Sequence, residues 1–454
     1  MRKIVFVGAG SVEFSQKLLV DILSFPELGD STIVLQDISE TRLQTAAAVA
    51  GWTVGALEVD ARIETTSELR AALEGANYVI TMFQVGGHGA TLLDFEIPKR
   101  YGLRQTIGDT IGIGGIFRGL RSIPVILEVG RAMSELCPDA FLLNYTNPMA
   151  MMCWATSEGA GLRNVVGLCH SVEHTTRQLA SYVGVPFDQI DFLVGGVNHQ
   201  AFVLRFEAQG QDLYPVLDAA IENDPELRRK VRVEVYQRLG YFPTESSEHL
   251  AEYVPWFVGR PELIQRFRIP IDEYVRRSEA NLRRFEEQEQ QLFSLDALHL
   301  ERSIEYASRI IHSLETGEPT TIYGNVRNDG LIDNLPEGAC VEVPCVVDAE
   351  GLRPQAIGAL PPQLAALNRT FLNVVELTVR AVLDGKPDYV RHAAMLDPNT
   401  AATLSLDEIW SLCDELIEAH GLDQFVTATK AGPSLPPHLW ERVERSLEPT
   451  AVAE

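Results

Sequence analysis

Near its start the chain reads Ile4-Val5-Phe6-Val7-Gly8-Ala9-Gly10-Ser11-Val12, an apolar run that passes directly into a glycine turn. The run predicts a buried strand, and the amphipathic residues after it predict a helix over 12–25. Glycines between a strand and a helix allow a pyrophosphate to approach the backbone N–H groups of the helix N-terminus. We therefore predict a dinucleotide site, and its residues are Gly8, Gly10, Ser11 and Val12.

The glycine motif is incomplete, because Glu13 stands where G-x-G-x-x-G has its third glycine. A plain tight turn would explain the same letters. Asp37, at the end of a second predicted strand over 32–35, favours the nucleotide interpretation. A carboxylate at that position accepts hydrogen bonds from a ribose and repels a 2′-phosphate, so we expect NAD and not NADP.

Short β-branched runs alternate with helical stretches as far as about Val197. The strand candidates are residues 4–7, 32–35, 78–83, 141–145, 165–168 and 192–194. This alternation is typical of an α/β fold with a doubly wound parallel sheet. Beyond Gly196 it gives way to charged helical stretches and a strand-like segment over 320–347. We predict a Rossmann-like NAD-binding domain over 1–196 and an α+β domain over 197–454 that completes the site.

Composition excludes several function classes. The 454 residues include 38 Lys and Arg against 63 Asp and Glu, a net charge of −25. Such a surface repels phosphate backbones, so we expect no nucleic-acid partner. No run approaches the ~18 consecutive apolar residues of a membrane span, so we expect no membrane partner. Six irregularly spaced cysteines do not form a disulfide framework, so we expect a reducing cytoplasm.

Polar residues follow several of the predicted strands. Asp109 lies in a glycine-rich loop over 105–115, and Asn147 follows the strand over 141–145. Carboxyl ends of parallel strands are where open α/β sheets bind ligands, so both are candidate substrate residues. Each residue also has a purely structural explanation. Asp109 could lie in a flexible surface loop, and Asn147 could cap a helix that has Pro148 at its first position.

Cys169 and His199 each follow a predicted strand. Two strand ends of one parallel sheet can bring a thiolate and an imidazole together, and such a pair would hold a divalent transition metal while leaving positions open. By spacing alone, a buried cysteine and a helix-capping histidine are the commoner explanation. A further stretch over 240–256 is dense in ionisable and aromatic side chains, which suits either an acid or base or a helix N-terminus.

Together these stretches resemble glycoside hydrolase family 4, the NAD- and manganese-dependent glycosidases, and within it the bacterial α-galactosidases. The resemblance extends over nearly the whole chain and is carried by residues 8–11, 105–115, 144–149, 169–172, 198–199, 244–256 and 323–332. The run Cys169-His170-Ser171-Val172 resembles the galactosidase version of its motif, whereas the 6-phosphoglycosidase branches have Asp or Asn after the cysteine. The implied fold is like that of lactate and malate dehydrogenases.

The resemblance implies hydrolysis of a terminal α-galactoside such as melibiose. The reaction comprises oxidation at C3 by NAD, loss of the C2 proton, elimination and addition of water. Cys169 and His199 would be the ligands of Mn²⁺ or another divalent transition metal, and His170 would take the place of the proton donor. A histidine suits this role because its pKa is near neutrality.

The resemblance also assigns residues to the sugar and to the base. Asp109 would hold the substrate or a metal-bound water, and Asn147 and Asn198 would bind the sugar. Tyr253 matches best the tyrosine that removes the C2 proton in relatives, although Tyr241 and Glu252 are nearby alternatives. Relatives are dimers or tetramers, so we expect a homodimer or a homotetramer.

Several other functions remain open on the sequence. A dehydrogenase of the lactate/malate type would share the N-terminal fold but leave Cys169 and His199 without a role, and a non-enzymatic NAD sensor is a further alternative. Within the family, α-glucosidase and α-glucuronidase or galacturonidase activities are possible. An acidic sugar needs a paired arginine, and Gln84-Val85-Gly86-Gly87 carries no cation, which favours a neutral galactoside.

Overall fold

The protein is described from a computed structural model that covers residues 2–11, 14–291 and 300–427. The strands are β1 (Lys3–Val7), β2 (Thr32–Gln36), β3 (Arg62–Thr66), β4 (Tyr78–Thr81), β5 (Phe141–Asn144), β6 (Val165–Leu168), β7 (Asp191–Val197), β8 (Gln200–Ala208), β9 (Gln211–Asp212), β10 (Phe242–Pro243), β11 (Thr320–Arg327), β12 (Cys340–Asp348) and β13 (Gly351–Pro354).

The helices surround the sheet formed by these strands. They are α1 (Ser15–Leu23), α2 (Glu40–Leu57), α3 (Leu69–Leu73), α4 (Gly87–Arg100), α5 (Gly112–Leu136), α6 (Met149–Gly159), α7 (Ser171–Val183), α8 (Tyr214–Asn223), α9 (Val231–Leu239), α10 (Ser247–Glu252), α11 (Pro261–Phe267), α12 (Glu273–Gln291), α13 (Ala307–Thr316), α14 (Pro362–Leu383), α15 (Asp388–Leu396), α16 (Pro398–Thr403) and α17 (Leu406–Ala419).

Six parallel strands form the first half of the sheet, in the order β3-β2-β1-β4-β5-β6. This is the strand order of the dinucleotide-binding Rossmann fold, so the predicted fold class is confirmed. β1 lies in the middle with Ile4 opposite both Ile33 and Tyr78, and its residues from Ile4 to Val7 are buried. Of these six parallel strands, only β3 was not predicted from the sequence, because this edge strand is polar and partly exposed.

The other strands extend the same sheet by antiparallel pairing. β11 pairs with β6, β12 pairs with β11, and β7 lies between β12 and β8. The expectation that β7 belongs to the parallel sheet is therefore wrong. β11 covers the free edge of β6, an edge that would otherwise expose unpaired backbone groups. The predicted division after residue 196 falls within the β7–β8 hairpin.

Helix α2 shows how local sequence sets the element boundaries. It begins after Ser39, whose hydroxyl accepts a hydrogen bond from the Arg42 N–H, as is typical of a capping serine. Helix α1 begins at Ser15, later than the predicted start, and Val12 and Glu13 lie outside the described residues.

In the part of the chain that is described, no helix has the length and apolar character needed to cross a membrane.

Candidate active site

The turn after β1 has no room for side chains at its two glycines. Gly8 has φ +85°, and a Cβ there would lie 2.9 Å from the backbone of Phe83. A Cβ on Gly10 would lie 2.6 Å from Arg42 Cβ and 2.8 Å from Asp37 Oδ2. Contacts this short require glycine, and the strand, turn and helix have the arrangement that admits a pyrophosphate.

Asp37 connects the end of β2 to this glycine turn. Its Oδ2 accepts a hydrogen bond from the Gly10 N–H (2.9 Å) and its Oδ1 accepts one from the Ser39 N–H (2.9 Å). Ser11 closes the turn with its N–H on the Gly8 carbonyl, 3.1 Å away. The structure thus brings together four residues of the predicted nucleotide site: Gly8, Gly10, Ser11 and Asp37. The fifth, Val12, lies outside the described residues.

Cys169 and His199 lie side by side, although the strands before them are not neighbours in the sheet. Cys169 Sγ is 3.5 Å from His199 Nε2, and Glu245 Oε2 is also 3.5 Å from that nitrogen. Donor atoms at this separation suit neighbouring ligands of one ion bonded at about 2.0–2.3 Å. Sulfur, imidazole and carboxylate donors together favour a divalent transition metal over Mg²⁺ or Ca²⁺. The chemistry of the donor set therefore fits the expected ion.

Thr110 and Tyr253 contact the other ring nitrogen of His199, Nδ1. Its Nδ1 is 3.0 Å from Thr110 Oγ1 and 3.2 Å from the Tyr253 hydroxyl. Thr110 in turn donates to Asp109 Oδ1 at 2.7 Å. Partners of this kind orient a ligating imidazole and leave Nε2 free for a metal.

Asp109 joins the cluster to the loop after β5. Its Oδ2 accepts a hydrogen bond from Asn147 Nδ2 (2.9 Å), and Arg118 Nε donates to the Asn147 carbonyl (3.3 Å). Burial acts to raise the pKa of Asp109, but His249 and Arg118 hold that pKa well below its usual range. Asp109 is therefore a buried anion next to the candidate metal ligands.

His249 lies between two carboxylates. Its Nδ1 is 3.2 Å from Glu245 Oε1, and its Nε2 is 3.5 Å from Asp109 Oδ1 without a hydrogen bond. Burial acts to lower the pKa of His249, but these carboxylates raise it well above its usual value. His249 thus places a positive charge between Asp109 and Glu245.

Tyr253 and Glu252 are both buried at the end of helix α10. Burial, with the carboxylates of Asp109 and Glu245 nearby, raises the pKa of Tyr253 well above its usual value. Glu252 accepts backbone hydrogen bonds from Thr106 (2.7 Å), Ile107 (3.2 Å) and Gly108 (2.8 Å). Because both of its oxygens are occupied, Glu252 serves to hold the loop that carries Asp109.

His170 and Asn198 lie at the margin of the cluster. His170 Nδ1 is 2.9 Å from Glu305 Oε1, which raises the pKa of His170 to about 9, and half of its side chain is exposed. Asn198 is buried and donates to Glu342 Oε1 at 3.4 Å, and in the described chain it has no hydrogen bond to the cluster. Tyr241 likewise has no hydrogen bond that connects it to the described site.

Sequence reasoning missed the partners that complete this site. Glu245 and His249 lie in the polar stretch over 240–256, which signalled an acid or base without indicating which side chains contact the candidate metal ligands. Arg118 and Tyr274, whose hydroxyl accepts from Arg118 Nη1 at 2.8 Å, are 156 residues apart in sequence. No local signal joins residues so distant.

Two family models match most of the chain. One, "Family 4 glycosyl hydrolase", matches residues 3–185, and the other, "Family 4 glycosyl hydrolase C-terminal domain", matches residues 194–400. An α-galactosidase from Bacillus subtilis is 45% identical over 93% of this chain and 98% of its own length. An α-galactosidase from Rhizobium meliloti is 37% identical over 94% of this chain and 91% of its own length.

A solved structure shares the fold over nearly the whole chain. It is a 6-phospho-β-glucosidase from Thermotoga maritima with manganese, NAD⁺ and glucose-6-phosphate, and its TM-score to this protein is 0.77 at 21% identity. The similarity covers 95% of this chain and 100% of that chain.

The strand order and the cluster beside it define a Rossmann-type protein with a candidate transition-metal site. The family models and the two relatives above 30% identity go further. The chain belongs to the family 4 glycosyl hydrolases, which confirms the family that the sequence motifs resemble.

Proposed function

We propose that this protein is an α-galactosidase that removes terminal galactose from α-galactosides by redox-assisted elimination. The observation that carries the proposal is the meeting of Cys169, His199 and Glu245 next to Asp109 and Asn147, in a fold whose first turn suits a dinucleotide. The activity of the two relatives supports the galactoside. A dehydrogenase of the lactate/malate type would leave the thiol and imidazole cluster without a role.

Two cofactors fit this chain. Gly8, Gly10, Ser11, Val12 and Asp37 would hold NAD, and Cys169 and His199, joined by Glu245, would hold Mn²⁺ or another divalent transition metal. When bound, NAD supplies a reversible hydride acceptor and the metal supplies a Lewis acid for sugar oxygens.

Asp109 and Asn147 would position the galactose ring. The Asn147 amide donates to Asp109, so the two side chains form one rigid hydrogen-bonding unit, and the ionised carboxylate can accept from sugar hydroxyls. Asn198 would contribute its Oδ1, which has no partner among the described residues. These contacts would fix the C2 and C3 groups close to Cys169 and His199.

Tyr253 is the proposed base for the C2 proton. Of the three candidates it is the one in contact with His199, whereas backbone N–H groups occupy Glu252. Burial and the nearby carboxylates disfavour its phenolate, and a cation held by Cys169 and His199 would oppose that effect.

His170 is the proposed proton donor to the departing glycosidic oxygen. It directly follows Cys169, half of its side chain is exposed, and Glu305 anchors the other ring edge through Nδ1. This leaves Nε2 available to deliver a proton on the open side of the site.

The cellular setting and assembly follow from the same proposal. All six cysteines are free, which suits a reducing cytoplasm. We place the enzyme there as a homodimer or homotetramer that acts on a small α-galactoside, with no nucleic-acid or membrane partner. Light scattering coupled to size exclusion would measure the assembly state.

The test uses enzyme freed of metal by chelation and of nucleotide by washing, in reducing buffer. Hydrolysis of an aryl α-galactoside should return only when NAD and Mn²⁺ are added together. Full activity with neither would contradict the redox mechanism. No activity with both, in folded enzyme, would contradict the galactoside.

Cys169→Ser provides a variant with a readout other than activity. Replacing a soft thiolate should weaken Mn²⁺ binding at least about tenfold, measured by electron paramagnetic resonance of free Mn²⁺. Cys137→Ser is the control, because Cys137 is also a free thiol and directly follows α5, away from the cluster. Equal Mn²⁺ affinity of the two variants would contradict the role of Cys169.

A further inference from the structure

Arg118 is a buried guanidinium next to the candidate active site. Its side chain is 8% exposed, and within the described residues it has no carboxylate within 4.0 Å. Arg121, one turn along α5, shows the usual arrangement, with Nη2 bound to Asp94 Oδ2 at 2.6 Å. Buried arginines are normally paired in this way, whereas Arg118 interacts with the charge of Asp109 without forming a salt bridge to it.

Neutral oxygens occupy Arg118 in place of a carboxylate. Its Nε donates to the Asn147 carbonyl at 3.3 Å, and its Nη1 donates to the Tyr274 hydroxyl at 2.8 Å. The Tyr274 hydroxyl in turn donates to Gln84 Oε1 at 3.3 Å. Gln84, Tyr274 and Arg118 thus form one hydrogen-bonded chain that ends at the backbone of Asn147.

The position of Tyr274 is fixed independently of this chain. It lies in the first turn of α12, and its backbone N–H donates to the Thr106 carbonyl at 3.0 Å. Thr106 belongs to the loop that Glu252 holds by its backbone. The phenol is therefore held over Arg118 by the same loop that carries Asp109.

We propose that Tyr274 is a specificity-determining residue: by occupying Arg118 it makes this enzyme select neutral sugars over uronic acids. The inference rests on the proposed function and names the substrate class of that same site. A uronic acid adds a second negative charge to a site that already holds the ionised Asp109, and its carboxylate would need the paired donors of a free guanidinium. Tyr274 occupies Nη1 and the Asn147 carbonyl occupies Nε, so the guanidinium offers a sugar carboxylate fewer free donors than an unoccupied one would.

The test compares Tyr274→Phe with the parent enzyme holding NAD and Mn²⁺. The variant keeps the ring but releases Arg118 Nη1, so the ratio of kcat/KM for an aryl α-galacturonide to that for an aryl α-galactoside should rise about tenfold or more. Calorimetry should show galacturonate binding tightened by a similar factor, with galactose binding changed much less.

Two further variants sharpen the comparison. Tyr101→Phe removes a hydroxyl that donates to Glu415 at 3.0 Å, between the end of α4 and α17, and it should leave the ratio unchanged. Adding Arg118→Met to Tyr274→Phe should abolish the gain, because the released donor is then gone. Thermal unfolding confirms that each variant is folded.

The outcomes separate the inference from the proposed function. One outcome is that the parent hydrolyses the galactoside while Tyr274→Phe changes neither the ratio of the two kcat/KM values nor galacturonate binding. In that case the inference is wrong and the proposed function stands. If the folded parent hydrolyses no galactoside with both cofactors, the function is wrong. The calorimetric comparison then still decides whether Tyr274 excludes a carboxylate.

Discussion

At the scale of single residues, Glu252 shows how one buried carboxylate shapes the site. It accepts three backbone hydrogen bonds from the loop over 106–108, and this loop leads directly to Asp109. The sequence presented Glu252 as an alternative base, but the structure uses both of its oxygens for positioning. Such a carboxylate influences activity through loop geometry and not through proton transfer.

Glu252→Gln should therefore lower stability and turnover together. The amide retains one acceptor and turns an N–H₂ group towards backbone donors, which costs about 1–3 kcal/mol. We expect that loss in the free energy of unfolding measured with urea, together with reduced kcat. Glu248→Gln, four residues earlier and without a side-chain hydrogen bond in the described chain, is the control. A stable Glu252→Gln variant that has lost only the C2 proton abstraction would contradict the positioning role.

Gly10 gives a second prediction at this scale. A methyl group at Gly10 would meet Asp37 and Arg42 at less than 3 Å, so Gly10→Ala must displace the carboxylate proposed to bind the ribose. NAD affinity, followed by the fluorescence of bound NADH, should fall at least about tenfold.

Gly51 supplies the matched control for Gly10. It lies in the middle of α2, and no atom is within 4 Å of a Cβ at this position. Gly51→Ala should keep NAD affinity and raise the free energy of unfolding by about 0.5–1 kcal/mol through helix propensity. Equal NAD affinity in both alanine variants would contradict the glycine requirement of the turn.

At the scale of elements, the short helix α16 depends on one buried cap. Asp397 is fully buried, and its Oδ2 accepts from the N–H of Thr400 (2.8 Å) and from its hydroxyl (2.7 Å). Burial raises the pKa of Asp397 to about 6, against 3.8 for the free side chain. The folded protein therefore binds a proton here more tightly than the unfolded chain does.

The sign of the pH effect follows from that shift. The contribution of Asp397 to stability is complete below pH 3.8 and is lost as the pH rises through about 6. Asp397→Asn keeps an acceptor oxygen and removes the titration. The free energy of unfolding of the parent should thus gain up to about 3 kcal/mol over the variant between pH 7.5 and pH 4, measured with urea. A difference that is independent of pH would contradict the shift.

At the scale of the whole molecule, one sheet runs through both parts of the chain. β6 pairs with β11, and β7 pairs with β12, so segments more than 100 residues apart share backbone hydrogen bonds. The candidate metal site combines Cys169 and His199 with Glu245 from the C-terminal half. The predicted boundary between 1–196 and 197–454 lies within this sheet, in the β7–β8 hairpin, and the division into two domains stays a prediction.

The single sheet predicts that residues 1–196 will not fold alone. This fragment lacks the partners of β7 and exposes the edge of β6, which favours aggregation. We expect soluble protein with cooperative unfolding only for the complete chain, compared with the fragment by size exclusion and circular dichroism. A fragment that unfolds cooperatively and binds NAD would show that the N-terminal half is an independent domain.

The sequence by itself determined the local features of this protein. The strand, glycine turn and helix around Gly8 and Gly10, the cap at Ser39 and the carboxylate at Asp37 all depend on residues near one another in the chain. Periodicity and turn chemistry act over a few residues, so they identified five of the six parallel strands. Motif order along the chain was enough to indicate the family.

Only the tertiary structure decided which side chains meet. It moved β7 out of the parallel sheet, added Glu245 and His249 to the cluster, and placed Tyr274 on Arg118. These contacts join residues that are 40 to 160 positions apart, and they depend on how sheet edges are covered and how buried charges find partners. Such requirements are satisfied by the assembled core, so no local pattern of residues records them.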